Sequence, residues 1–285
     1  MKKIYPILVF LSLFSAFACN SPKQNTTEDT DKLFTTFEDN FLDAYWKQHP
    51  SSSIFVGYGK YYDALVIPDS ASFAQSNAFS QLWIDSLNKF DIQKLSDNNK
   101  ISLNMIKNQL ESDIWYNSTF KVQEWDASIF NIAGECDYII NQPYAPLDER
   151  LKTLSKHIES ADAYYKAALA GLREPTKEHM EMAILQNQGG VSVFGASLTD
   201  SINASGLTAD EKNALSQNIV KATKAMTDYV DALKSIVADK NYTFRNFRIG
   251  KAMFAEKFKY DLATDFTPEQ VYEKAKADKD YFHAK

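Results

Sequence analysis

Four histidines, one internal cysteine and a few serines among glycines are the places where chemistry could begin in this sequence. The histidines are His49, His157, His179 and His283. None belongs to an H-E-x-x-H pattern, whose spacing sets two imidazoles on one helical face around zinc with a glutamate as base. His157 has Thr153 and Ala161 one turn away, so its own helix offers no second ligand, and it reads as a solvent-facing residue. Glu178, His179 and Glu181 fall in the first turn of a helix, where acidic residues are expected for the helix dipole alone. Asp280 and His283 are three apart, an ordinary side-chain pair on one face. A zinc site needs three or four converging ligands, and no local pair starts one here. Gly190-Val-Ser192-Val-Phe-Gly195 has its second glycine one place too far from the serine for a nucleophile elbow, and no strand precedes it. Gly57-Tyr-Gly59-Lys60 lacks the remaining glycines of a phosphate-binding loop. Cys136, in Ala-Gly-Glu-Cys-Asp-Tyr, reads as a small buried apolar residue. The sequence therefore assigns this chain no catalytic residue, no metal ligand and no cofactor. Tyr58, Tyr61 and Tyr62, gathered around two glycines, are the exception among aromatics that otherwise fall on helical stripes. They are candidates for lining a ligand cleft, or else they cover a helix end.

Charge narrows the partners. Lys and Arg number 31 against 37 Asp and Glu. Removing Lys2 and Lys3 with a leader leaves 29 and a net charge of about −8. No basic stripe stands out, and nucleic-acid binding needs one.

The elements that must position any site are helical nearly throughout. Leu33, Phe34, Phe37, Phe41, Leu42, Tyr45 and Trp46 form one stripe, ending near His49-Pro50. A short helix follows and stops at Gly57 and Gly59; residues 61–69 look extended, and residues 73–87 return to helix. Another helix starts at Ser96-Asp97, with Leu103, Ile106, Leu110 and Ile114 inward. Residues 120–125 alternate apolar and polar and read as the best short strand. Pro146 opens a long helix with the stripe Leu147, Leu151, Leu154, Ile158, Ala161, Tyr165, Ala168 and Leu172. The next begins at Pro175-Thr176 and breaks or bends at Gly189-Gly190. Thr208 and Glu211 make a capping box that opens the longest helix, running to about Asp239. Residues 241–250 are irregular and aromatic. Thr267-Pro268-Glu269-Gln270 caps a last helix, which runs into the charged residues up to Lys285. The fold expected is all-α: a multi-helix array with long antiparallel helices and a few short extended segments.

The first residues address the chain. Lys2 and Lys3 precede an apolar run over residues 4–17, too short for the roughly 20 residues of a bilayer span, and Ala16-Phe17-Ala18 leads into Cys19. This is a secretory signal laid out for lipid attachment at Cys19, with ordinary cleavage nearby as the alternative. Residues 20–31 have no large apolar side chain and read as a flexible tether. The organisation expected is signal peptide 1–18, lipidated tether 19–31, helical domain 32–243, and the start of a following helical segment at 244–285. That last segment reads either as a natural C-terminal helix or as a chain cut in mid-protein.

Several stretches carry a resemblance. His49-Pro50 with Gly57 and Tyr61-Tyr62-Asp63, Tyr144-Ala-Pro146-Leu-Asp-Glu-Arg150-Leu151 with Leu172-Arg-Glu-Pro175-Thr176, and Phe247-Arg-Ile-Gly250-Lys-Ala-Met-Phe254 with Phe266-Thr-Pro-Glu269 follow one another as in the bacterial family known as domain of unknown function 885. The chain resembles the first half of such a protein. The resemblance implies a chain about twice as long, with an H-E-x-x-G-H-H-type motif in its second half and zinc-peptidase-like character, and it tips the C-terminus toward truncation. No residue of that motif occurs here, so zinc would belong to the full-length protein. The expected function is thus the N-terminal helical half of an exported lipoprotein that resembles metal-dependent peptidases, held in the cell envelope by lipid on Cys19, on the periplasmic or outer-membrane side, with peptide as substrate. The alternative is a complete, non-enzymatic helical binding lipoprotein for a peptide, glycan or protein.

Overall fold

The computed structural model describes residues 27–285. The signal, Cys19 and most of the tether lie outside the described residues. The fold is all-α, as expected. Among the described residues there are twelve α-helices joined by short 3-10 turns and one π-turn, and no strand; Thr176 and Arg245 form an isolated bridge. No helix among the described residues is long and apolar enough to cross a membrane.

Helices α1 (Thr27–Gln48), α3 (Ser70–Leu87) and α4 (Asp97–Trp115) form one layer, with the short α2 (Pro50–Phe55) leading out of it. Its core is aromatic: Phe34, Phe41, Ile84, Leu103, Ile106 and Leu110 are buried together. Phe34 meets Phe90 edge-on at 5.3 Å, and Phe41 meets Trp83 at 5.4 Å, contacts worth about 1 kcal/mol each beyond their area. Helix α1 begins at Thr27, inside the stretch read as a tether. Its first turn, which has no large apolar side chain, is followed by a polar contact at Asp31. The Asp31 carboxylate accepts from the Ser96 backbone N–H and from Asn99, both at 2.9 Å, and so satisfies the N-terminus of α4.

The second layer holds α5 (Ala133–Asn141), α6 (Leu147–His157), α7 (Ala161–Gly171), α8 (Lys177–Gly190), α9 (Ala196–Ala204) and α10 (Ala209–Ala238). The 30-residue α10 is its spine, starting at the expected capping box of Thr208 and Glu211 and packing on α6, α7 and α8. The helix expected to run from Pro146 to Leu172 is in fact two. A 3-10 turn over Ile158–Ser160 divides it and keeps both Ile158 and Ala161 in the core. Helix α8 ends at Gly190 as the paired glycines suggested. A Cβ there would lie 2.7 Å from the Ala133 Cβ and 3.2 Å from the Met226 Cε, so α5, α8 and α10 converge at a point only glycine fits. A buried polar network pins the loop before α5. Asn187 donates to the Phe130 and Ala183 carbonyls and accepts from the Tyr165 hydroxyl, while the Tyr229 hydroxyl donates to the Ala127 carbonyl.

The strand expected at residues 120–125 is not one. Tyr116–Phe120 is a π-turn, closed by Lys121 N–H donating to the Tyr116 carbonyl at 2.7 Å, and Val122–Glu124 is a 3-10 turn. The relevant spacing is five, not two. Trp115 stacks on Phe120 and Phe120 meets Trp125 edge-on, both at 5.2 Å, and the three form their own buried cluster. Helix α11 (Lys251–Leu262) docks on this cluster. Asn108 donates to the Tyr260 carbonyl, Trp115 Nε1 to Glu256, and Tyr116 to Asp261. Helix α12 (Pro268–His283) starts at the expected capping box of Thr267 and Gln270, and none of its residues is buried.

Candidate functional site

The most developed site lies where the two layers meet. Helix α1 ends at Gln48, and His49 precedes Pro50 at the start of α2, so the imidazole sits at a forced turn in the chain. Helix α4 brings Asp113 against it, and α3 supplies Phe73 and Ser76. These surround a cavity of about 350 Å³ whose apolar wall is Val66, Pro68 and Phe73, at the small end of ligand-pocket sizes. Asp113 Oδ1 accepts from Gln109 Nε2 at 2.8 Å, one turn back on the same helix. Asp113 Oδ2 and His49 Nε2 are 3.8 Å apart, and both are buried without a hydrogen-bond partner. The Tyr45 ring leans on the His49 ring, with centroids 4.3 Å apart.

Burial sets the electrostatics of this group. It pushes Asp113 up to about 6, against the opposing hydrogen bonds from Gln109 and Tyr45. It pulls His49 down to about 4. Burial first, and the Asp113 charge second, raise the Tyr45 phenol far above its ordinary value. Near neutral pH the imidazole is uncharged and the carboxylate is mostly ionised, with no cation beside it. Paired groups shifted in this way within a cavity are a common mark of functional sites.

Ser51 lines the same cavity and connects it to the core. Its hydroxyl donates to Glu135 Oε2 at 3.0 Å, and the same oxygen lies 3.0 Å from His157 Nε2. No hydrogen bond joins Nε2 to that oxygen in this geometry. His157 Nδ1 lies 2.9 Å from the Tyr62 carbonyl, which can only accept, so Nδ1 carries the proton. His157 is fully buried, which corrects the expectation that it faces solvent. Its partners come from α5 and from the loop after α2, out of reach of a reading confined to one helix face.

The three tyrosines proposed from the sequence are divided. Tyr58 and Tyr61 donate to opposite oxygens of Asp43 at 2.8 and 2.9 Å, and Lys60 Nζ binds the same carboxylate at 2.7 Å. Lys60 first, then the two hydroxyls, hold Asp43 down at about 2. Tyr62 is buried, accepts from the Gly59 N–H at 3.0 Å and packs on Tyr138 and Tyr144. His179 lies against Trp125 and 3.6 Å from Asp126. Cys136 is free and buried, and burial raises its thiol far above the ordinary range. The Ser192 hydroxyl donates to the Gly189 carbonyl at 2.7 Å. Among the described residues no three of His, Cys, Asp and Glu are placed to hold a metal ion. His49 and Asp113 supply two donors and no third, so the donor set here does not fit zinc.

A second cavity, about 570 Å³, opens between α11 and α12 and is walled by Phe254, Phe258, Val271 and Tyr272. Sequence reasoning missed the Asp113–His49 pairing because 64 positions separate the two residues. The four-residue steps from Tyr45, near the end of α1, to His49 just past it, and from Gln109 to Asp113 along α4, were the available signal.

No curated protein matches the chain. A solved structure from Shewanella oneidensis, described as "a putative lipoprotein of unknown function", superposes with a TM-score of 0.83 at 36% identity, over 87% of this chain and 46% of that one. This chain thus spans about half the length of that relative. Residues 50–285 match the family described as "Bacterial protein of unknown function (DUF885)", and the chain belongs to that family.

Proposed function

We propose that this chain is the lipid-anchored, helical N-terminal part of a larger cell-envelope protein, and that it forms one wall of a substrate cleft completed by residues outside the chain. The observation that carries this reading is the apolar face of α11 and α12. Phe254, Tyr272, Tyr281 and Phe282 are exposed on these two helices and Phe266 on the turn between them, and the cavity between the helices is apolar-walled. A face of that kind marks an interaction surface. The 46% span of the Shewanella oneidensis chain supports the reading, and so does the leader ending at Cys19, because that relative is itself described as a lipoprotein. Metal-dependent peptidase chemistry is proposed only for the whole protein, on the family resemblance, and no step of it is assigned to residues of this chain.

A second reading is favoured by the His49–Asp113 cavity. A free-standing binding lipoprotein would need a preformed site with a few convergent polar groups, and that cavity is one.

Immunoblotting of native membranes, with radiolabelled palmitate and a Cys19→Ser variant, tests the first reading. Expected is a membrane-bound, labelled band near twice the 32.3 kDa of this chain, with label and membrane association lost in the variant. A band slightly below 32.3 kDa would overturn the larger-protein reading and leave the binding lipoprotein. An unlabelled, soluble product would overturn both.

A further inference from the structure

We propose that the cavity between α3, α4 and the α1–α2 junction binds a primary ammonium group carried on a small apolar side group, as in an amino-acid amide or the free N-terminus of a peptide, with Asp113 and His49 as its two acceptors. The argument starts from what each acceptor lacks. Asp113 Oδ1 accepts from Gln109 and the Tyr45 hydroxyl also acts on this carboxylate, whereas Oδ2 is buried with no hydrogen-bond partner in this geometry. His49 Nε2 has no partner either and faces Oδ2 across 3.8 Å. A group that reaches both atoms must be compact and must offer more than one N–H. A protonated amine has three, on a single centre.

Charge gives the same result. The raised value at Asp113 and the lowered value at His49 have burial as their first cause, and no cationic side chain offsets either. A neutral donor such as water would satisfy the hydrogen bonds and leave the buried carboxylate uncompensated, which is costly. An ammonium satisfies both. A metal ion would need a third protein ligand, which this site does not offer.

The rest of the cavity suits what such an amine carries. Val66, Pro68 and Phe73 provide an apolar wall. Ser76 Oγ accepts from Asn117 Nδ2, which leaves its own proton free to donate to a carbonyl next to the amine. Both acceptor atoms are closed off from bulk water on side chains that line the cavity. The proposal deepens the peptide reading by naming the end of the chain that would be gripped. It relies on that reading only for the word peptide, because a simple amine tests it.

The experiment is calorimetric titration of the full chain at pH 7.5 with L-leucinamide and with N-acetyl-L-leucinamide, for wild type, Asp113→Asn and Val66→Trp. Asparagine keeps the shape and the Gln109 contact and removes the charge. Tryptophan fills the cavity mouth from a part-exposed loop position. Leucinamide is expected to bind saturably. Acetylation and Asp113→Asn should each weaken binding by about tenfold or more, the scale of one charge-assisted hydrogen bond, and Val66→Trp should abolish it. Absence of leucinamide binding to folded wild type overturns the proposal, as does equal binding of the acetylated compound or undiminished binding to Asp113→Asn. Binding that survives Val66→Trp and not Asp113→Asn places the amine outside the cavity and overturns it too. None of these outcomes bears on lipid attachment or on chain length.

Discussion

At Asp113 and His49 burial drives two side chains toward their neutral forms in opposite directions, so their pH dependences oppose each other. Asp113 rises from 3.8 to about 6. Its folded form holds the proton more tightly than the unfolded chain does, a contribution fully present below pH 3.8 and lost as pH rises through 6. His49 falls from 6.5 to about 4. Its contribution is present above pH 6.5 and lost as pH falls through 4. Between pH 7 and 5 the two largely cancel. Asp113→Asn should expose the histidine, making the change in stability from pH 7 to pH 5 more unfavourable than in wild type by about 1 kcal/mol. His49→Gln should expose the carboxyl and shift that change the other way by a similar amount. Urea unfolding of the three proteins at both pH values measures this, and three identical differences would refute the assignment. This pair was not legible in the sequence, and neither was the His157–Glu135–Ser51 chain. Periodicity tells which face of a helix a residue occupies, but not what another helix brings to that face. His157 was misread for that reason: Thr153 and Ala161 are its neighbours along α6, while Glu135 and the Tyr62 carbonyl are its neighbours in space.

At the scale of the element, what could be read was punctuation. Both sequence-level capping boxes, at Thr208 and Thr267, open helices as expected, because a cap is satisfied within four residues and needs no tertiary partner. Where tertiary packing decides, pattern misled. Residues 120–125 alternate like a strand, yet the rings of Trp115, Phe120 and Trp125 pack together at a five-residue step around a π-turn. The division of α6 from α7 carries no proline or glycine to announce it. Gly189-Gly190 was read as a break, and the structure adds a reason for the second glycine. The backbone angles at Gly190 are ordinary helical ones, so its cost of substitution is steric. Gly190→Ala would set a methyl 2.7 Å from the Ala133 Cβ, and overpacking of this kind costs about 1–3 kcal/mol. Gly189, whose added Cβ would meet nothing within 4 Å, is the control. Gly189→Ala should leave the denaturation midpoint unchanged or raise it, and Gly190→Ala should lower it. Equal effects at the two positions would show that helix propensity, not the α5–α8–α10 contact, governs this end.

At the scale of the whole molecule the two layers differ from the C-terminal hairpin in how they are held. Phe34, Leu110, Leu151, Leu154, Met226 and Leu233 are closed away from water in the layers. Helix α11 is fixed to α4 largely by side-chain hydrogen bonds and one aromatic cluster, and α12 is tied to α11 through the Lys251–Glu269 ion pair at 2.7 Å. Both partners of that pair are well exposed, and such pairs add little stability. The exposed apolar side chains on this hairpin therefore contribute little to folding within the chain, unlike Met253 and Tyr260, which pack on the aromatic cluster, and their exposure points to a partner surface. Replacing two of them with charges, Phe254→Glu together with Tyr272→Lys, separates the two roles. If the face serves association, the variant should bind less of a hydrophobic fluorescent dye and sediment closer to a monomer, while its unfolding free energy stays within about 0.5 kcal/mol of wild type, as for a surface substitution. If the face instead packs within the chain, the variant should lose stability on the scale of core truncations, about 2–5 kcal/mol, and expose more dye-binding surface rather than less. The first outcome would make the hairpin the place where this helical array meets the remainder of a larger protein. The second would return it to the core and remove the main support for that reading.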